Sequence, residues 1–516
     1  MAGGSGVDRL DARPEEAVSA EQAVCDSGDA EHSAVEPPWR RAVGHIYWPL
    51  AAVLAVQAAF SLSLVWSNSA YGDEAQHILD GQLLWSHLLH GTYLPPYHEA
   101  GARQIYPLIA AAANSVGGLA AARIVSLCFM LASSVLLYQI GVRLVGRTAA
   151  LAGVALWAVS EPVLRLAFAT WDPLACLLTI TSLRLAVQAS HASRKAGLIA
   201  ASALALALAG VTALPFLIYV PVVIAVALLA WLEPMGVRLA IWSAALLTAG
   251  SAILVIALMT FLHLWSNVFG MAGFQSVPIG LNDAAQVFKP AWSWDGLIFV
   301  AACAGAVTAF IVERPRGRGI LVAALAASAL PVPLYELHIG FFALDQQISA
   351  GTGIAALAAG YLAARLRPTT WRPRAVWLVA GVLMLYPAIT GLWYARTTFH
   401  SWPDTTRLMA VLKPFAASRR PVLFIGEWRV FPEYYLGGGR HHWPAYGPRL
   451  LPSVKRGEYS AVVVRLLLSS VQTPSAAARL AAPAAVRDSY KLAALIVYQT
   501  TSPSNAVGAW AVWEHK

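Results

Sequence analysis

The sequence predicts a polytopic α-helical membrane protein of about eleven transmembrane helices, followed by a small C-terminal exoplasmic α/β domain. Three observations lead there. The first is composition. Of 516 residues, 58% are hydrophobic and only 12% are charged, with a mean hydropathy of +0.59, against about 25% charged in a soluble domain. The second is that basic residues recur in short runs on every second connection between apolar segments. The third is a return to ordinary polarity after about Arg396. A net charge of +9 on its own would suit a nucleic-acid partner. The interleaving of that charge with apolar segments excludes one and points instead to membrane lipids. The 19 Trp fit a chain with many membrane-water interfaces, where indole rings settle.

The elements follow in order. Residues 1–42 are rich in Gly, Ala, Glu and Asp and carry no periodic apolar pattern, as in a disordered cytoplasmic tail. They lack the short apolar core and cleavage site of a signal peptide, so the first membrane helix serves as the insertion signal. The expected spans are 46–66, 119–141, 151–164, 173–189, 197–209, 214–232, 239–262, 296–312, 320–334, 348–364 and 376–393. Arg40 and Arg41 precede the first. Arg143 and Arg147, Arg194 and Lys195, Arg238, the run Arg314, Arg316 and Arg318, and the run from Arg365 to Arg374 follow even-numbered spans. The positive-inside rule then places the N-terminus in the cytoplasm and the C-terminus outside the cytoplasmic membrane. The membrane domain occupies 43–395, with a long first outer loop at 67–107, and the exoplasmic domain 396–516. Within the latter, 421–425, 461–466, 494–498 and 508–513 read as strands, and 404–416 as an amphipathic helix capped by Asp404.

The outer connections hold the chemistry-bearing residues. Asp73 and Glu74 lie just past the first span, Asp172 in the second outer loop, Asp283 and Lys289 in the fourth, and Glu336, His338 and Asp345 in the fifth. Charge at a membrane edge costs desolvation energy unless it meets water, a cation or a partner. An acidic cap that fixes topology is one reading of Asp73-Glu74; a catalytic carboxylate is the other. The four Cys make no CxxC, and neither a GxxxxGK[ST] loop nor an HExxH occurs.

An apolar helix followed by Gly72-Asp73-Glu74-Ala75 resembles the polyprenyl-phosphate-sugar-dependent glycosyltransferases of the GT-C fold, in particular the protein O-mannosyltransferases and bacterial aminoarabinose transferases. The similarity continues through Tyr106-Pro107, Arg123, Tyr138 and the basic turn from Gly141 to Arg147, and through Thr170-Trp171-Asp172-Pro173. It is strongest over residues 47–232. The resemblance implies a GT-C-like membrane domain that transfers a sugar from a polyprenyl-phosphate donor to a protein, glycan or lipid acceptor, with Asp73 as the base.

The residue types suit that chemistry. Inverting transfer needs a base for the acceptor proton and a cation for the departing phosphate. Glu74 would orient the loop or hold a cation. Asp73 and Asp172 would supply oxygen ligands if a divalent cation takes part; no other cofactor is called for. Arg103, Lys289 and Arg123 are candidates for the phosphate, with interfacial snorkelling as the plain alternative. His98 and His338 are acid-base candidates, or simply polar residues with local partners. Tyr93, Tyr97 and Tyr106 suit a sugar pocket or an interfacial belt alike. His441-His442 reads as a surface pair rather than a metal site. Two other functions stay open: a transporter or flippase, and a non-catalytic GT-C-like binding protein.

Overall fold

The computed structural model describes residues 48–94, 101–265, 284–313, 317–339, 344–366, 373–425, 429–445, 450–468, 482–500 and 507–516. The tail at 1–42, Tyr97, His98, Asp283 and the side chains of His338 and Asp345 lie outside the described residues.

Helices dominate. They run α1 (Trp48–Val65), α2 (Gly72–His90), α3 (Tyr106–Leu144), α4 (Arg147–Ala158), α5 (Glu161–Arg165), α6 (Asp172–Ala189) and α7 (Lys195–Thr212). A 3-10 turn (Leu214–Tyr219) leads into α8 (Val220–Met235) and α9 (Val237–Phe261). Then come α10 (Ala284–Val312), α11 (Gly317–Ala327), α12 (Pro331–Ile339), α13 (Ser349–Arg365) and α14 (Pro373–Phe399). Among the described residues, six are long and apolar enough to cross a membrane: α1, α3, α7, the 3-10 turn with α8, α9, and Val287–Val312 of α10. The pair α11 and α12, bent by 45°, makes a seventh if it counts as one span. The protein is an integral membrane protein. Helix covers parts of all eleven expected segments, but the third is broken between α4 and α5, the ninth between α11 and α12, and α4 has only 12 residues, so eleven full spans are not established.

Close helix packing explains part of the Gly content. A Cβ on Gly360 of α13 would lie 2.0 Å from the Ala149 carbonyl oxygen of α4, and one on Gly153 of α4 would lie 2.3 Å from that of Ala356. Only glycine lets these two backbones touch.

The first connection is not the outer loop expected at 67–107. It holds the 19-residue helix α2 and the first turns of α3. α3 is broken at Gly117 and Gly118, the latter at φ +65° and ψ −161°, a backbone region open essentially to glycine. Residues 106–116 therefore form a separate helical arm. It packs on α2 so closely that a Cβ on Gly81 would meet the Pro107 carbonyl. The second part of α3 starts at Leu119, where the second expected span starts.

The C-terminal region carries a four-stranded sheet in the order β1-β2-β4-β3 (β1 Val422–Ile425, β2 Ala461–Leu468, β3 Tyr490–Gln499, β4 Val507–His515). β1 and β2 run parallel, in register Val422 to Ala461; β4 is antiparallel to β2 and β3. Side chains alternate across it. Ala461 and Val463 face one core; Val462 and Val464 face another with Tyr490 and Trp513. The first core includes Leu408 and Leu412 of α15 (Thr406–Ala416), whose first N–H bonds Asp404 Oδ1 at 3.0 Å. It also includes Ala70 and Ala75, so the sheet and the start of α2 share one apolar cluster. Residues 47–516 form one compact unit, and position 395 lies inside α14.

Candidate active site

The site is built around the start of α2. Two acids in its first turn suit a helix amino terminus, where unpaired N–H groups favour negative charge. The two then diverge. Asp73 points outward and is exposed, whereas Glu74 is fully buried.

A charge buried to that degree needs partners, and Glu74 has them. Its Oε2 accepts from the Tyr71 N–H at 2.8 Å, and its Oε1 from the Ala169 N–H at 2.8 Å. Arg123, also fully buried, donates to it in bidentate fashion, Nε to Oε1 at 2.8 Å and Nη2 to Oε2 at 2.7 Å. The remaining guanidinium donors go to backbone carbonyls of Val65, Asn68 and Ser69 at 2.7–3.2 Å. Arg123 is thus committed to the fold, not to a phosphate, and Glu74 fixes the turn.

The same turn is held from the far end of the chain. Asn68 Nδ2 donates to the carbonyls of Phe399 and Trp402 at 2.7 and 3.1 Å. The Trp402 indole N–H donates to the Ser69 carbonyl, and the Thr405 N–H to Ser69 Oγ. The Ala70 N–H donates to the Tyr435 hydroxyl at 2.7 Å. Asp73 therefore stands on a turn tied to α3, to residue 169, to residues 399–405 and to residue 435. Rigid placement of this kind is what a catalytic group requires.

Glu74 also brings the two acidic motifs together, because Ala169 leads directly to Trp171 and Asp172. Asp172 opens α6 and is buried. The Trp171 ring lies 4.2 Å from the ring of His77, and Tyr106 meets His77 edge-on at 6.2 Å. Tyr106 is itself buried, its hydroxyl 2.9 Å from Ser126 Oγ, so it lines the platform rather than an open pocket. Tyr93 is 79% exposed.

Arg103 is buried and pairs with Asp80, Nη2 to Oδ1 at 3.0 Å, while Gln76 Nε2 donates to Asp80 Oδ2 at 2.6 Å. The expected loop cation is part of a buried network, because a guanidinium without solvent needs a counter-charge. Lys289 is exposed on the first turns of α10, not in a loop. Among the described residues, no three His, Cys, Asp or Glu side chains converge in metal-holding geometry. A cation on Asp73 and Asp172 gains no third ligand from them.

Solved structures share this architecture. ArnT from Cupriavidus metallidurans in the apo state superposes with a TM-score of 0.56 at 14% identity, covering 91% of this chain and 98% of that one. ArnT bound to undecaprenyl phosphate gives 0.55 at 14% identity over 89% and 97%. The oligosaccharyltransferase AglB from Archaeoglobus fulgidus, in complex with an inhibitory peptide and a dolichol-phosphate, gives 0.51 at 11% identity over 91% and 74%. This chain has the GT-C fold. No protein-family model and no curated protein matches the sequence.

Within this GT-C chain several polar residues escape sequence reasoning. His77 and Asp80 follow Asp73 by four and seven positions, a helical spacing that marks one face of α2. That signal is present in the sequence and is masked by reading 67–107 as loop. His77 is 3% exposed, and burial pushes its imidazole down to about 3, so it is neutral at physiological pH. Glu161 and Arg165 pair at 3.7 Å on α5, and Asp295 is buried within α10. Tyr434 and Tyr435 sit more than 300 positions from their partners, beyond any local pattern.

Proposed function

We propose that the protein is a membrane glycosyltransferase that moves a sugar from a polyprenyl-phosphate-linked donor to a protein, glycan or lipid acceptor at the extracytoplasmic face, with Asp73 as the base. One observation carries the reading: an exposed carboxylate at a helix amino terminus, on a turn braced by a buried ion pair and by three distant parts of the chain. The GT-C fold supports it, and so do the undecaprenyl phosphate and dolichol-phosphate bound to ArnT and AglB.

The chemistry balances. Asp73 takes the proton of the acceptor hydroxyl or amine. The freed electron pair forms the new bond to the anomeric carbon. The bond from that carbon to the phosphate oxygen breaks, and the lipid phosphate leaves with the bonding electrons. Lys289, exposed on α10, is the cation we assign to that phosphate. Lys289→Ala is then expected to weaken donor use by about ten- to a hundredfold, with acceptor use little changed.

The same proposal includes eleven spans, a cytoplasmic N-terminus, an extracytoplasmic C-terminus, and a division near residue 395 into membrane and exoplasmic domains. Cysteines placed near Arg318 and near Asp73 test the orientation. An impermeant thiol reagent on intact cells should label only the second.

A transporter or flippase is the second reading, favoured by Asp295, a carboxylate buried inside a membrane-crossing helix. Purified protein and a donor with labelled sugar decide between them. Transfer of label to an acceptor fraction supports the enzyme. Movement of intact donor across vesicles without transfer supports the alternative.

A further inference from the structure

Residues 430–436 connect the sheet to the acidic turn. They form the short helix α16 (Val430–Leu436), which follows β1 and rests on α2. Its two adjacent tyrosines each place a hydroxyl on a different support of α2. Tyr435 accepts the N–H of Ala70 at 2.7 Å. Ala70 is fully buried, and it precedes Tyr71, whose own N–H is taken by Glu74. Tyr434 donates to Asn114 Oδ1 at 2.6 Å. Asn114 lies on the arm 106–116, just before the Gly117–Gly118 break, and that arm packs against α2 at Gly81. The two rings contact each other, centroids 4.6 Å apart. Burial raises both phenols above their ordinary value and keeps them protonated.

We infer that Tyr435 and Tyr434 are positioning residues for Asp73: through Ala70 and Asn114, α16 sets where the carboxylate stands, and the sheet-bearing region takes part in the chemistry even if it never touches substrate. The inference rests on the reading of Asp73 as base. Its physical content is specific. Tyr435→Phe leaves the buried Ala70 N–H without its acceptor, which the turn relieves by moving. Asp73 lies three residues on. A displacement near 1 Å costs a catalytic group up to about a hundredfold in rate. The bidentate Glu74–Arg123 pair is untouched, so the fold survives.

The test uses full-length protein, with Tyr435→Phe and Tyr434→Phe made alone and each combined with Asp73→Asn. Tyr435→Phe is expected to lower kcat by about ten- to a hundredfold while donor KM stays within about twofold. In the Asp73→Asn background the same change should lower the residual rate by less than about twofold, because there is no base left to place. Tyr434→Phe should act in the same direction and less strongly. Amide exchange in the peptide 66–76 should quicken in Tyr435→Phe while thermal unfolding in detergent stays put. Equal losses in both backgrounds, or an unchanged kcat despite faster exchange, overturn the inference and leave Asp73 as base intact. Near-normal transfer by Asp73→Asn itself removes the base and the inference together.

Discussion

Glu74 and Glu313 are both carboxylates clasped by arginine, and they serve different ends. They lie near opposite ends of the long second part of α3. Glu74 meets Arg123; Glu313 shares a cavity wall with Leu144, 21 positions on and about 30 Å along the helix at about 1.5 Å per residue. Both members of the first pair are completely buried. The second is looser: Glu313 bonds Arg365 and lies 3.8 Å from Arg318, and those two arginine side chains are 45% and 56% exposed. Cavities of about 270 and 820 Å³ open beside Glu313, with Arg143, Arg147 and His191 among their walls. At that end charge is shared among partly exposed arginines. At the other it is taken out of water at considerable cost, which Arg123 offsets by gathering three carbonyls besides the carboxylate. A buried pair is weak evidence for stability in itself. Here it holds the turn that carries the exposed Asp73.

Breaking each pair sharpens the contrast. Arg123→Ala leaves Glu74 buried and uncompensated, at a cost of about 3–5 kcal/mol. The yield of folded protein and the thermal midpoint in detergent should both collapse; a variant with wild-type unfolding would make the pair dispensable. His77, one turn below Asp73, comes next and depends on pH. Its folded value of about 3 lies below the ordinary 6.5. Between those values the unfolded chain binds a proton that the folded chain refuses. The stability from this site is complete above about pH 6.5 and falls as pH drops toward 3, by up to about 1.4 kcal/mol per pH unit. His77→Gln should flatten the loss in unfolding temperature between pH 7 and pH 5, and an unchanged slope would mean the imidazole meets water.

Glu313→Gln should matter least. The Tyr361 hydroxyl first, then Arg365 and Arg318, hold this carboxyl below its ordinary value, against an opposing effect of burial. Its contribution is complete above the ordinary carboxylate range and is lost as pH falls through the lowered value. For a solvent-screened cluster that contribution is about 0–1 kcal/mol at neutral pH. A loss comparable to that of Arg123→Ala would erase the distinction between the two ends.

Much of the fold was legible because hydropathy acts locally. Among the described residues six helices, or seven with the bent pair, are long and apolar enough to span, and the helix over the second expected segment is broken just before Leu119 at Gly118. The four expected strands lie within β1 to β4, apart from the first residue of the first. α2 was missed because His77, Asp80 and Gln82 interrupt its apolar residues, so it reads as loop until its fourfold and sevenfold spacings are counted. The site was legible only in part. Asp73, Glu74 and Asp172 announce themselves as acids at helix ends. That Glu74 belongs to Arg123, 49 positions on, and that Ala70 belongs to Tyr435, 365 positions on, follows from tertiary packing and from no sequence period. Arg103 misleads for the same reason: its partner Asp80 lies on α2, inside the stretch expected as loop.

The most direct test of the account is sugar transfer by Asp73→Asn from a labelled polyprenyl-phosphate donor, measured beside thermal unfolding in detergent. The substitution keeps shape and hydrogen-bonding capacity and removes the proposed base. Unfolding should match wild type, since Asp73 is exposed and the Glu74–Arg123 brace remains. Transfer should fall at least about a hundredfold. Near-normal transfer by a normally folded Asp73→Asn protein would contradict the account.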